Sequence, residues 1–311
     1  MNLCILGYGA FGTSLAHLWS RKFEKIFIWK FSKEYSGDLE SDKYIIRSDI
    51  DSAIKEANVV VVSTASVGID YVANEIKKSE NNSGKYYLLT SKGINPKTLQ
   101  TMSQIFGFAN PYLDTAVFSG PTFAKEIMKD LPIWAVIASK NKDLSNKLVD
   151  ILTVPGKLSL KTSENPVGIE IVAALKNVAA IIAGIVDSFE LGDSAKGAIL
   201  ANVFYEIFQI ALSSGASYSD IFGVAGIGDM ISSCCGRYSR NYRAGLLLGQ
   251  GKSVEDIVIS IGEVSEGIKT TESAYLLSNK LSLNSYIISG LYNVIYDGLD
   301  VRKFVHNIVS R

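Results

Sequence analysis

Apolar residues fall in short unbroken runs through the first half of the chain and in long helical periods through the second. Asn2-Leu3-Cys4-Ile5-Leu6 is an apolar run that ends at Gly7. Leu15, Leu18 and Trp19 then share one face of a predicted helix over 12–22. Lys25 to Trp29 reads as a second strand. Val59 to Val62 is a block of valines, the pattern of a strand covered on both faces of a parallel sheet. Tyr86 to Leu89, Thr115 to Phe118, Ile133 to Ala138 and Leu158 to Leu160 are further predicted strands, with helical segments such as 67–78 and 142–152 between them. This alternation predicts a doubly wound α/β sheet.

The pattern changes near Ser163. Pro166 suits the first turn of a helix, and 166–187, 194–214, 239–250, 253–261 and 266–280 read as helices. The expected organisation is an α/β domain over 1–163 and an all-helical domain over 164–311.

Composition narrows the function classes. The chain has 311 residues, 47% hydrophobic and 20% charged, which excludes a disordered chain. Lys and Arg number 31 against 31 Asp and Glu, so no net charge marks it for nucleic acid. Three cysteines do not make a disulfide scaffold, and two histidines far apart predict no metal site. Cys234 and Cys235 are expected to be packing neighbours rather than a redox pair. The opening lacks the basic region and long apolar core of a signal peptide. The apolar stretch Val167 to Val186 is interrupted by Glu170 and Lys176, so no membrane span is expected. Together these suggest a cytoplasmic protein.

Gly7-Tyr8-Gly9-Ala10-Phe11-Gly12 is a GxGxxG motif directly after the first strand and at the mouth of a helix. In that position the glycines allow a tight turn, close approach of a pyrophosphate and helix–strand packing, the signature of a Rossmann-type dinucleotide fold. Lys92, in Thr90-Ser91-Lys92-Gly93-Ile94, follows a strand and so belongs at the ligand edge of the sheet. Ser119-Gly120-Pro121-Thr122 also leaves a strand end, with Thr122 placed to cap the next helix. Lys176 lies on a helix whose other faces are apolar or small; a buried lysine is costly unless it is paired or at work. Gly226-Ile227-Gly228-Asp229 supplies a carboxylate suited to a lysine or a substrate hydroxyl. Ser239-Arg240-Asn241 at a predicted helix start suits an anion, which arginine grips with two parallel hydrogen bonds.

Taken together, Gly7 to Thr13, Ser91 to Ile94, Ser119 to Glu126, Ala174 to Val178, Leu191 to Lys196, Gly226 to Asp229, Ser239 to Asn241 and Val264 to Gly267 resemble the bacterial NAD(P)-dependent glycerol-3-phosphate dehydrogenase family. They come in the family's order and span most of the chain. The resemblance implies reduction of dihydroxyacetone phosphate to sn-glycerol 3-phosphate for phospholipid synthesis, with NADPH or NADH, no metal, and a possible homodimer. It implies that Ala10, Phe11, Ala124, Val264 and Glu266 line the cofactor. Lys92 would meet cofactor and substrate, and Gly120, Thr122 and Asn177 would lie at the substrate. Lys176 would be the proton donor and acceptor, assisted by Asp229. Asp229, Ser239, Arg240 and Asn241 would bind the glycerol phosphate, with Arg240 also near the cofactor. The chain departs from the family at Ser63-Thr64, where Pro-Ser is usual, and at Ser233-Cys234, where Thr-Cys is commoner.

Cofactor choice follows from the end of the second strand. A fold that prefers NAD carries an acid about 20 residues after the glycines, on the ribose 2′-hydroxyl. Here the segment is Trp29-Lys30-Phe31-Ser32-Lys33, with no acid and two lysines. Lys30 and Phe31 are the candidate cofactor contacts, and lysine attracts a 2′-phosphate. NADPH should therefore be used at least as well as NADH, with a modest, salt-sensitive margin. Measuring kcat/KM for both cofactors at low and high salt, in wild type and Lys30→Asp, checks this. A clear wild-type preference for NADH overturns the charge argument and turns attention to Glu34.

Overall fold

The computed structural model describes residues 1–31, 42–236, 238–262 and 265–310. Lys33, Glu34 and Val264 therefore lie outside the described residues. The chain forms two compact units, one of residues 1–92 and 101–170, the other of 93–100 and 171–311.

The first unit alternates strand and helix: β1 (Leu3–Leu6), α1 (Ala10–Trp19), β2 (Ile26–Trp29), β3 (Tyr44–Arg47), α2 (Ile50–Ile54), β4 (Val59–Val62), α3 (Ile69–Lys78), β5 (Tyr86–Leu89), α4 (Met102–Ala109), β6 (Thr115–Ser119), α5 (Ala124–Ile127), β7 (Ile133–Ala138), α6 (Lys142–Leu152) and β8 (Leu158–Ser163). The eight strands run in the order β3-β2-β1-β4-β5-β6-β7-β8. All neighbours are parallel except β6 and β7. The order reverses at β1, which pairs with β2 on one side and β4 on the other; ligands of such sheets bind at this reversal, beyond the strands' carboxyl ends.

Alternate strand residues point to opposite faces, and both faces are covered. Leu3, Ile5, Val59 and Val61 join one core with Leu15, Trp19 and Phe118. Cys4, Leu6, Val60 and Val62 join the other with Val72, Ile76 and Phe106. This explains why the valine run is unbroken. Trp19 Nε1 donates to the Leu152 carbonyl at 3.0 Å and ties α1 to α6.

The helical remainder comprises α7 (Pro166–Ser188), α8 (Gly192–Ser213), α9 (Tyr218–Ile221), α10 (Asp229–Cys235), α11 (Arg240–Gly249), α12 (Val254–Ile261), α13 (Glu266–Lys280), α14 (Tyr286–Tyr296) and α15 (Val301–Val309). Asn165 caps α7 by accepting from Gly168 N at 3.0 Å, with Pro166 in the first position. Helices α7 and α8 are both long and apolar enough to cross a membrane by length and composition, α7 despite Glu170 and Lys176. The apolar window of α7 is wholly buried, whereas that of α8 is only 28% buried, with Ala198, Ala201, Asn202 and Tyr205 exposed.

Glu170 is buried at the start of α7. It accepts from Ser103 N at 2.8 Å and from the Ser103 hydroxyl, which caps the first turn of α4. Burial pushes its carboxyl up to about 7, against the opposing pull of hydrogen bonds from Ser103 and Thr101. The folded chain thus keeps a proton that the unfolded chain sheds near pH 4.5. Its contribution to stability falls as pH rises from about 4.5 to about 7 and is level on either side. Glu170→Gln keeps an acceptor for the Ser103 amide and removes the titration. Urea midpoints of the two proteins should diverge in favour of the variant across that window. Parallel curves would show that Glu170 does not titrate there.

Candidate active site

At the first turn, each glycine of the motif meets a different constraint. Gly7 has φ +119°, and a Cβ there would stand 2.5 Å from the Ser63 carbonyl oxygen at the end of β4. Gly12 packs so closely on the Gly7 carbonyl and Ile5 that a side chain would collide with the turn itself. A Cβ at Gly9 would meet nothing within 4 Å, so the backbone is open to an approaching ligand. Gly9 caps α1 without a side-chain hydrogen bond, leaving first-turn N–H groups for an anion. Thr13 Oγ1, buried in that turn, has no hydrogen-bond partner among the described residues. These features fit the pyrophosphate of a dinucleotide. Ala10 is exposed there, and Phe11 packs against Phe118 with ring centres 6.4 Å apart.

At the end of β2, Lys30 is half-buried and Phe31 is 81% exposed. Phe31 stands edge-on to Tyr71 at 5.8 Å and to Trp29 at 6.1 Å.

A second group forms where β5 and β6 end. Lys92 Nζ lies 3.3 Å from the Gly120 carbonyl. A Cβ on Gly120 would stand 2.5 Å from the Trp134 carbonyl oxygen, so close pairing with β7 requires glycine. Thr122 does not cap the next helix as expected. Helix α5 begins at Ala124 with Phe123 as its cap residue and no side-chain cap. Thr122 thus stands one residue ahead of the cap position, and its hydroxyl donates to the Gly120 carbonyl at 3.2 Å. Lys92 and Thr122 thus converge on one carbonyl.

In the second unit, Lys176 on α7 does not reach for the surface. It is 8% exposed, and its Nζ donates to Asp229 Oδ1 at 2.6 Å and to Ser233 Oγ at 2.9 Å. Asp229 is the first residue of α10 and 1% exposed. It is delivered by a π-helical turn, Val224–Gly228, in which Gly226 packs against the Ile221 carbonyl too closely for a side chain. Ser233 follows Asp229 by one helical turn and so shares its face. In the sequence Ser233 stands out only as a departure from the family pattern; its spacing from Asp229 was the available signal for its role. Cys234, beside it, is buried with its thiol pushed up to about 12 by that burial, and Cys235 is exposed; both are free.

Ser239 caps α11 by accepting from Tyr242 N at 3.2 Å, which places Arg240 and Asn241 in the first turn. Arg240 is exposed. Asn241 Oδ1 accepts from Gly267 N at 2.9 Å and from the Ser265 hydroxyl, while its Nδ2 donates to Asn177 Oδ1 at 2.8 Å. Both lone pairs of the amide oxygen are used, so Asn241 meets a ligand only as a donor. A Cβ on Gly267 would stand 2.7 Å from Asn241 Oδ1, so this contact depends on glycine. Glu266 lies between Ser265 and Gly267, half-buried at the start of α13. Asn177 and Ser265 as partners of Asn241 were not legible from spacing. Among the described residues no group of His, Cys, Asp and Glu could hold a metal.

Family models for the NAD-dependent glycerol-3-phosphate dehydrogenase N-terminus and C-terminus match residues 2–145 and 165–306. A glycerol-3-phosphate dehydrogenase [NAD(P)+] of Brachyspira hyodysenteriae (strain ATCC 49526 / WA1) is 31% identical over all of this chain and 97% of its own length. A protein of the same name from Thermoanaerobacter sp. (strain X514) is 30% identical with the same coverage. The fold is that of a Coxiella burnetii glycerol-3-phosphate dehydrogenase crystal structure, with a TM-score of 0.93 at 23% identity over 100% of this chain and 99% of the other. A Saccharomyces cerevisiae glycerol-3-phosphate dehydrogenase, 18% identical over 100% and 99% of the two chains, superimposes with a TM-score of 0.83. Matched over both of its parts, and along nearly the whole length of those relatives, the chain belongs to the NAD-dependent glycerol-3-phosphate dehydrogenase family.

Proposed function

We propose that this chain interconverts dihydroxyacetone phosphate and sn-glycerol 3-phosphate with NADPH or NADH, using Lys176 as proton donor and acceptor. The observation that carries the reading is Lys176 itself, an ammonium buried on an apolar helix and held by Asp229 and Ser233.

Reduction of the ketone needs a hydride at carbon and a proton at oxygen. The nicotinamide of the bound cofactor supplies the hydride. Lys176 Nζ stabilises negative charge growing on the ketone oxygen and gives it the proton; in the other direction the neutral amine takes it back. Asp229 and Ser233 aim that nitrogen. Lys92 adds positive charge, with Gly120 and Thr122 at the substrate. Arg240, Ser239, Asn177 and the Asn241 N–H hold the substrate phosphate at the start of α11. The Gly7–Gly12 turn with Ala10 and Phe11, together with Lys30, Phe31, Ala124, Val264 and Glu266, holds the cofactor. Such soluble reactants suit the cytoplasm, and the product suits phospholipid synthesis.

A homodimer belongs to the same reading. Half-buried Phe204 and Phe208 of α8 run through ring contacts to Phe222 and Tyr218, and Tyr205, Tyr218 and Phe222 are 60–69% exposed. An apolar surface of this kind is usually covered. Light scattering on the purified protein should give twice the chain mass; a monomer at micromolar concentration removes this part of the proposal.

Purified protein should oxidise NADPH with dihydroxyacetone phosphate and far more slowly with unphosphorylated dihydroxyacetone. Lys176→Ala should lower kcat by about 10²–10⁴ with cofactor binding nearly unchanged. Equal rates with the two ketones would sink the phosphate assignment, and retained turnover in a folded Lys176→Ala protein would remove the lysine from the chemistry.

A further inference from the structure

Helices α7 and α11 cross with their backbones in contact. A side chain on Gly184 of α7 would strike the Tyr242 carbonyl, and one on Gly245 of α11 would strike the Ile181 carbonyl. Gly249 packs on the Ser188 side chain. Asn177, Ile181, Gly184 and Asp187 therefore form one stripe of α7, about 15 Å long, that faces α11.

These contacts bring the helices close but supply no directional bond between them. Two side-chain tethers do. One is Asn241 to Asn177, already described. The other lies at the far end of the stripe, where the Tyr242 hydroxyl donates to Asp187 Oδ2 at 2.6 Å. Lys196 of α8 donates to the same oxygen at 2.6 Å and lies 5.7 Å from the centre of the Tyr242 ring. The ion pair is partly buried, with side chains 19% and 28% exposed. Burial and the bond to Asp187 push the Tyr242 hydroxyl up to about 12, so it remains a donor at neutral pH.

We infer that Asp187, with Tyr242 and Lys196, is a positioning device for the anion-binding turn of α11. Residues 241 and 242 are adjacent in that first turn, yet they reach α7 ten residues apart. Pinning both fixes the rotation and register of α11, and so where Arg240 and the Asn241 N–H meet a phosphate. Lys196 balances the charge that Asp187 carries. The inference rests on the reading that Ser239, Arg240 and Asn241 receive the substrate phosphate.

The signature is an effect confined to the phosphate. Tyr242→Phe keeps the ring and loses the tether. It should raise KM for dihydroxyacetone phosphate roughly tenfold and weaken competitive inhibition by inorganic phosphate in parallel. The kcat value, NADPH affinity and the slow rate with unphosphorylated dihydroxyacetone should each stay within about twofold. Asp187→Ala should behave alike, and the double variant should be no worse than Asp187→Ala alone, since the two changes break one link. Unchanged KM in both variants overturns the inference, as does equal damage with both ketones, which marks a purely structural role. Additive losses in the double variant also overturn it. Arg240→Lys serves as the reference, because ammonium cannot replace the forked guanidinium. If it raises KM while the tether variants do not, the tether is wrong and the phosphate reading stands. If it leaves KM unchanged, the phosphate reading fails, and the tether with it.

Discussion

An ammonium and a carboxylate lie 2.6 Å apart in this protein, on residues 8% and 1% exposed, and the architecture of the helical unit is arranged around them. Taking two such charges out of water is expensive, and their attraction repays it only when the geometry is close and the remaining polar atoms are bonded. Losing one partner of such a pair typically costs about 3–5 kcal/mol, because the other is left buried and uncompensated. This demand explains why Asp229 follows a π-helical, glycine-rich turn. The turn brings the start of α10 to the place that Lys176 can reach, and Ser233 occupies the next position on the same face. An apolar pair would hold these helices more cheaply.

The second constraint is close approach of backbone. At Gly7, Gly12 and Gly120 of the sheet unit, and at Gly184, Gly245 and Gly267 of the helical unit, a Cβ would overlap a carbonyl or an amide oxygen. The candidate ligand groups stand beside these contacts: Ala10 and Phe11 in the Gly7–Gly12 turn, Lys92 on the Gly120 carbonyl, and Asn241 on Gly267. Glycine here works less as a source of flexibility than as a spacer of zero size. It lets rigid elements place polar side chains without an intervening layer of packing.

Much of this was legible in the chain. The valine run announced a strand covered on both faces, and the apolar setting of Lys176 announced a buried lysine in need of partners. What stayed hidden has physical reasons. Strand β3 lies at the edge of the sheet with half-buried and exposed residues, so Tyr44 to Arg47 lacks the apolar signal of the central strands. The reversed direction of β7 leaves no mark in local pattern, because an antiparallel neighbour and a parallel one bury the same residues. Helices α9 and α10 are too short for periodicity to emerge. Thr122 has the chemistry of a cap, but α5 starts one residue too late for it to take that position. Ser233, Ser265 and Tyr242 act through partners tens of residues away or through a neighbouring turn, and spacing along the chain does not report such meetings.

Asn241 carries one more consequence. Its amide accepts at one end from Ser265 and Gly267 and donates at the other to Asn177, so its orientation is dictated by three partners. An aspartate of the same shape would set an acceptor, in place of the Nδ2 donor, against Asn177 Oδ1. Positions 177, 241, 265 and 267 thus form one hydrogen-bonded unit, in which a change at any one of them falls on the amide that serves the other three.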